Sequence, residues 1–141
     1  SYISRIEKRL KTDLLKDFPD AECSMEDALW DILDSIFDAY HGQKFLFVMD
    51  EWDYIFHRDF ILDKDRKRYL QFLSNLLKDH AYVSMSYMTG ILPISKYSSG
   101  SELNMFMEFK MTSMAMFGEY FGFTDKEVDT LYEKYLHLIQ L

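Results

Sequence analysis

Apolar residues recur along this chain with periods that change from segment to segment. Ile3, Ile6, Leu10 and Leu14 keep helical spacing and predict an opening amphipathic helix, which Pro19 ends. Ser24 is the N-cap candidate of a second helix, with Asp27 in the capping-box position. Leu29, Ile32, Leu33, Ile36, Phe37 and Tyr40 form its apolar stripe, and Gly42 is its C-cap candidate. The run from Phe45 to Met49 is short, continuous and bounded by turn signals, which predicts a strand buried on both faces, as in a parallel sheet. A third helix is predicted between Lys64 and Asp79, with Tyr69, Leu70, Leu73, Leu76 and Leu77 inward. A second strand spans Ala81 to Met88 and breaks at Thr89-Gly90.

Beyond Pro93 the texture changes. "SKYSSGSELNMF" is small and polar and reads as a surface loop. Residues 105–118 are rich in methionine (Met105, Met107, Met111, Met114, Met116) and are expected to be helical. Methionine is adaptable packing, so core or a partner surface is expected there rather than metal binding. Thr124 with Glu127 makes a capping box for a last helix, whose apolar face is Val128, Leu131, Tyr132 and Tyr135. Helix, strand, helix, strand is the rhythm of an α/β layer fold. The expectation is a short, mainly parallel sheet flanked by helices over residues 1–95, with a loop and helical part over 96–141. Ligands of such folds sit at the carboxyl ends of strands, so Asp50-Glu51 and Thr89-Gly90 are expected to share one edge.

With 141 residues, 48% of them apolar and 17% aromatic, the chain can bury one core and is not of disordered composition. No apolar run reaches the length of a membrane span, and the opening residues lack the basic-then-apolar pattern of a secretory signal. Cys23 is the only cysteine, which excludes an internal disulfide and fits a reducing, cytoplasmic setting. Sixteen basic residues against 24 acids give a net charge of −8, which argues against broad nucleic-acid binding through phosphates. The acid is uneven. Residues 17–43 hold eight acids and no lysine or arginine, and Asp31, Asp34 and Asp38 keep helical spacing. That is either a solvated helix face or a surface that meets a basic partner.

"KFLFVMDEWDYIF", residues 44–56, carries the chemistry. An apolar strand followed by Asp-Glu is the Walker B pattern, in which the aspartate holds Mg²⁺ and the glutamate orients or deprotonates the attacking water. The plainer alternative is a turn or N-cap acid after a strand.

Three blocks in order, "FLFVMDEWDYIF", "YMTGILPISKYSSGSELNMF" and "YFGFTDKEVDTLYEKY", closely resemble the AAA-ATPase-like family of bacterial proteins, P-loop ATPase domains often joined to a C-terminal nuclease domain of the PD-(D/E)XK type. The resemblance covers nearly the whole chain, most firmly from Phe45 onward. It implies a partial P-loop NTPase-like fold with ATP and Mg²⁺ as cofactors. At matching positions it implies that Asp50 is the metal-linked aspartate and Glu51 the catalytic glutamate. It implies that Thr89 is the sensor at the end of the next strand, and that Lys96 lies in the nucleotide-side loop that follows. "GFTDKEV" would open the helical region after the nucleotide core. Trp52 and Asp53 belong to the family's DEWD pattern with no chemical role attached.

The departures are as informative. A P-loop reads G-x-x-x-x-G-K-S/T, and none of Gly42, Gly90, Gly100, Gly118 or Gly122 begins one. In the family the P-loop lies upstream of the residue matching Ser1. The chain therefore resembles the family's middle without its phosphate cradle, and ATP binding by these residues alone is expected to be weak or absent. The missing strand would also leave an open hydrophobic sheet edge, either covered by the chain's other elements or paired with another chain.

Other chemistry is thin. Glu108-Phe109-Lys110 is half of a metal-dependent nuclease signature, and a short pattern that arises often by chance. His41, His57, His80 and His137 have no ligand spacing to one another or to Cys23, whose default is a small packed side chain. No G-x-S-x-G elbow is present. "KDRKR", residues 64–68, is a solvated helix start or a contact for phosphate or an acidic partner. Two readings of function follow. In the first, the chain is a segment of an AAA-ATPase-like protein and contributes Walker B acids to Mg-ATP hydrolysis. In the second, it is a stand-alone, non-catalytic acidic binding protein, such as an inhibitor or decoy of a nucleic-acid enzyme. Its contact faces would be residues 17–43 and 105–116.

Overall fold

Phe45–Met49 and Val83–Met88 pair as strands β1 and β2 of a two-stranded parallel sheet in the computed structural model, which describes residues 2–97, 103–110, 117, 120 and 122–139. The helices are α1 (Tyr2–Asp17), α2 (Leu29–Ala39), α3 (Asp63–Leu77) and α4 (Asp125–Ile139) in chain order. Short 3-10 turns occupy Tyr54–His57 and Ile94–Lys96. The chain divides into two compact units, residues 1–106 and 107–141. No helix among the described residues is long and apolar enough to cross a membrane.

The first unit is mixed helix and strand, as the α/β rhythm predicts. α3 crosses from β1 to β2, the connection that parallel strands need. It buries Tyr69, Leu70, Leu73, Leu76 and Leu77 as its spacing predicts, together with Phe72. α2 buries Leu29, Ile32, Leu33 and Ile36, and α1 and α3 both pack against it. Tyr82, just before β2, is wholly buried, and its hydroxyl donates to the Leu76 carbonyl at 2.7 Å. At the end of α2, His41 (φ 57°) takes the left-handed conformation, and the Gly42 amide reaches back to the Phe37 carbonyl at 2.8 Å. The bond is the six-to-one bond of a Schellman closure, and Gly42 (φ 84°) follows His41 in the left-handed region.

The structure corrects four expectations in the described residues. First, β1 is covered on one face only. Phe45, Phe47 and Met49 join the core with Val83 and Met88, while Leu46 and Val48 are 62% and 71% exposed. Ser84 is skipped in the register between Phe45↔Val83 and Leu46↔Met85, so Met85 and Tyr87 share the open face with Leu46 and Val48. The helices supply only one layer, so the apolar run is half-buried rather than sandwiched. Second, only half of the Ser24–Asp27 box forms, and it closes an isolated turn: the Ser24 amide donates to Asp27 Oδ2 at 2.7 Å, the Ser24 hydroxyl accepts the Glu26 amide at 3.2 Å instead of that of Asp27, and α2 begins only at Leu29 after an extended Ala28. Third, Leu10 is outside the core at 39% exposure, leaving Ile3 and Leu14 as the core contacts of α1. Fourth, residues 106–110 are irregular rather than helical. Met111, Met114 and Met116 lie outside the described residues. In the second unit the Thr124–Glu127 capping box is made on both sides, at 2.8 Å and 3.3 Å, and Val128, Leu131, Tyr132 and Tyr135 of α4 are exposed.

Candidate functional site

Parallel pairing brings the carboxyl ends of β1 and β2 to one side, and the turn after β1 folds around Thr89. The Thr89 amide donates to the Met49 carbonyl at 2.9 Å, and the Trp52 amide donates to the Thr89 carbonyl at 3.0 Å. The Thr89 hydroxyl donates to Asp50 Oδ1 and accepts the Glu51 amide at 3.1 Å. Every polar group of Thr89 is therefore bound to residues 49–52. Glu51 reaches this position with φ of 50°, a left-handed conformation that costs a non-glycine residue roughly 1 kcal/mol or more. Asp50, Glu51 and Thr89, the three residues singled out at the strand ends, stand together, with both carboxyl side chains at the surface. Lys96 is exposed in the 3-10 turn Ile94–Lys96, and no hydrogen bond or ion pair joins its side chain to them.

Trp52 and Asp53 turn out to be the interior of this edge. Trp52 is 4% exposed; its carbonyl accepts the Tyr69 hydroxyl at 2.9 Å, and its ring meets Phe56 and Tyr97 edge-on. Asp53 is 1% exposed, the one buried charged residue among those described. Its Oδ2 accepts the amides of Ile91 at 3.0 Å and Leu92 at 3.2 Å, and lies 2.9 Å from His57 Nε2. Its Oδ1 is buried with no hydrogen-bond partner. Gly90 passes close over both residues: a Cβ there would lie 2.6 Å from Trp52 Nε1 and 2.9 Å from Asp53 Oδ1. The sequence carried two faint signals of this arrangement, the i, i+4 spacing of Asp53 and His57 on a turn and the glycine directly after Thr89.

The electrostatics follow from that burial. Burial alone would raise the Asp53 carboxyl, but the hydrogen bonds from His57, Leu92 and Ile91 outweigh it and hold the group below its ordinary 3.8. Burial pushes the Tyr69 hydroxyl up to about 12, with Tyr2 and Asp53 adding to the rise. Burial also raises Tyr97, which stacks on Phe56 at 4.1 Å. The Cys23 thiol is raised by burial and by Asp27 and bonds to the Ala21 carbonyl, the chemistry of a packed side chain rather than an activated nucleophile.

A carboxylate and a hydroxyl bonded together at a strand end are the donor types that hold hydrated Mg²⁺ beside a phosphate. Asp50 and Thr89 fit that half of a metal–nucleotide site. The phosphate half is not met: no glycine of the chain begins a P-loop. Nor does any group of three or more His, Cys, Asp or Glu among the described residues converge to cage a metal by itself. His80 sits 3.5 Å from Asp34 and bonds to the Asn75 carbonyl, away from such a cluster, and the side chain of His137 lies outside the described residues. Lys64 to Arg68 open α3, where Arg66 bonds to Asp63 and to the Arg58 carbonyl. Compared with known proteins, the chain matches no family model, no curated protein and no solved structure.

Proposed function

We propose that the edge formed by Asp50, Glu51 and Thr89 is the Walker B and sensor side of an AAA-ATPase-like nucleotide site, completed by a phosphate cradle from outside these residues. The observation that supports it is the Thr89 hydroxyl held between the Asp50 carboxylate and the Glu51 amide at the carboxyl ends of two parallel strands. In this reading Asp50 would hold Mg²⁺, and its Oδ1 is kept in place by the Thr89 hydroxyl. Glu51 accepts a proton from the attacking water on its exposed carboxylate. Mg²⁺ would supply charge neutralisation between the terminal phosphates. Lys96, exposed in the turn Ile94–Lys96, would serve as a further contact for phosphate. The residues described here bind ATP weakly by themselves, since the lysine and hydroxyl of a P-loop are not among them.

The test uses the polypeptide extended upstream to include that cradle. Mn²⁺ with ATP should broaden the amide NMR signals of Asp50, Glu51 and Thr89. Asp50→Asn should remove the broadening. Signals at 50, 51 and 89 that stay sharp at saturating Mn-ATP would sink the reading.

A second reading, a non-catalytic acidic binding protein, is favoured by the open apolar sheet face of Leu46, Val48, Met85 and Tyr87 and by the acids of α2. Its contact would be with a basic protein and would weaken steeply with salt. Affinity that is insensitive to salt, or to Asp31→Lys with Asp38→Lys, would exclude it.

A further inference from the structure

We propose that Asp53 is a positioning residue for Thr89: its buried carboxylate fixes the backbone that follows Thr89, and so sets where the Thr89 hydroxyl stands between Asp50 and Glu51. The inference rests on the reading of Thr89 as the sensor of a nucleotide site.

Five bonds tie residues 89–92 to residues 50–53. Three are made by Thr89 itself: its carbonyl accepts the Trp52 amide, its hydroxyl donates to the Asp50 carboxylate, and the same hydroxyl oxygen accepts the Glu51 amide. The other two are the amides of Ile91 and Leu92 on Asp53 Oδ2. Two consecutive amides converging on one oxygen fix both the place and the tilt of the peptide planes they belong to. Only Gly90 separates that clamp from Thr89. Its bare Cα lies against Trp52 and Asp53, so no side chain intervenes and no slack remains. Trp52 is held in turn by the Tyr69 hydroxyl on its carbonyl, which anchors the clamp to α3.

A charged side chain at 1% exposure is costly, and here one oxygen has no hydrogen-bond partner. The bonds to the other oxygen offset that cost, since without the carboxylate the Ile91 and Leu92 amides lose their acceptor. The same bonds impose a geometry on the backbone. The geometry imposed here is that of the chain leaving Thr89. His57, at 2.9 Å, closes the outer side of the same oxygen and holds the carboxylate in its rotamer.

The experiment is amide hydrogen exchange by NMR on the 141-residue chain, comparing wild type with Asp53→Ala, Asp53→Asn and Thr89→Val. In Asp53→Ala the amides of Ile91, Leu92 and Glu51 should exchange together, about tenfold faster or more, while the Phe45 amide, which bonds to the Tyr82 carbonyl, stays within about twofold. Asp53→Asn should show the same coupled pattern at smaller size, because a neutral oxygen accepts more weakly than a charged one. Thr89→Val should release Glu51 alone. Faster exchange at Ile91 and Leu92 with Glu51 unchanged would overturn the proposal, as would Phe45 rising in step with all of them. If Asp53→Ala does not fold, Asp53→Asn against Thr89→Val decides it on the same comparison. No nucleotide enters these measurements, so their failure is distinct from failure of the ATPase reading. In the extended polypeptide, Asp53→Asn should lower kcat several-fold with KM for ATP within about twofold. A raised KM with unchanged kcat would contradict a positioning role.

Discussion

Thr89 donates its hydroxyl hydrogen to Asp50 Oδ1 across the shared end of the two strands. The two residues are 39 positions apart, and parallel pairing is what joins them. The same oxygen of Thr89 accepts the Glu51 amide, so one side chain sets both acids. Removing it should loosen the edge without unfolding the sheet, since the Thr89 backbone bonds to Met49 and Trp52 remain.

Gly90→Ala should destabilise the chain by about 1–3 kcal/mol, the usual cost of forcing a methyl group into packed surroundings. The new Cβ would fall 2.6 Å from Trp52 Nε1 and 2.8 Å from Trp52 Cδ1, atoms of a rigid, buried ring that cannot swing aside. Urea denaturation with an unchanged slope and a lowered midpoint is the expected result. A midpoint equal to wild type would mean that the indole gives way freely.

How much of this was legible beforehand depends on the scale of the signal. The ends of β1 and the inward residues of α3 follow from local periodicity, which burial then satisfies. The Ser24–Asp27 box misleads because the same local bonds close a turn or start a helix. The one-sided cover of β1 could not be read from Phe45–Met49, since a continuous apolar run looks alike whether one layer or two pack on it. The meeting of Asp50, Glu51 and Thr89 was legible from strand ends in an α/β order. The role of Asp53 was only faintly legible, in its spacing to His57, because its other partners are backbone amides, which carry no residue signature.

Acid should weaken the fold through Asp53. Its folded pKa lies below the ordinary 3.8, so its contribution is fully present above that value and is lost as pH falls through the lower folded one. Urea midpoints of wild type and Asp53→Asn should therefore differ at pH 5 and converge as pH is taken down toward about 2. A difference that holds constant across that range would show that the carboxylate charge is not what the fold uses.

Alkali should act through Tyr69, whose hydroxyl is raised to about 12 from 10.0. A raised group gives stability that is whole below the unfolded value and lost as pH rises through the folded one. Tyr69→Phe should cost about 1–2 kcal/mol at pH 7 by leaving the Trp52 carbonyl without its donor. It should also flatten the loss of stability between about pH 10 and 12 that wild type shows.

The two faces of β1 should respond differently to substitution. Val48→Thr, at a position 71% exposed, should change stability by no more than about 0.5 kcal/mol. Phe47→Ala, packed against the core, should cost about 3 kcal/mol. Equal costs measured by urea denaturation would mean that the outer face is covered in solution.

In the proposed function, Glu51 acts as the base beside a nucleotide edge made by Asp50 and Thr89. The test is Mg²⁺-dependent ATP turnover by this chain supplied with the phosphate cradle that the proposal requires, with and without Glu51→Gln. The expected result is turnover in wild type and a fall of about 10²-fold or more in kcat in the variant, with ATP still bound. Turnover that Glu51→Gln leaves untouched, or a wild type so supplied that binds Mg-ATP and never hydrolyses it, would contradict the account.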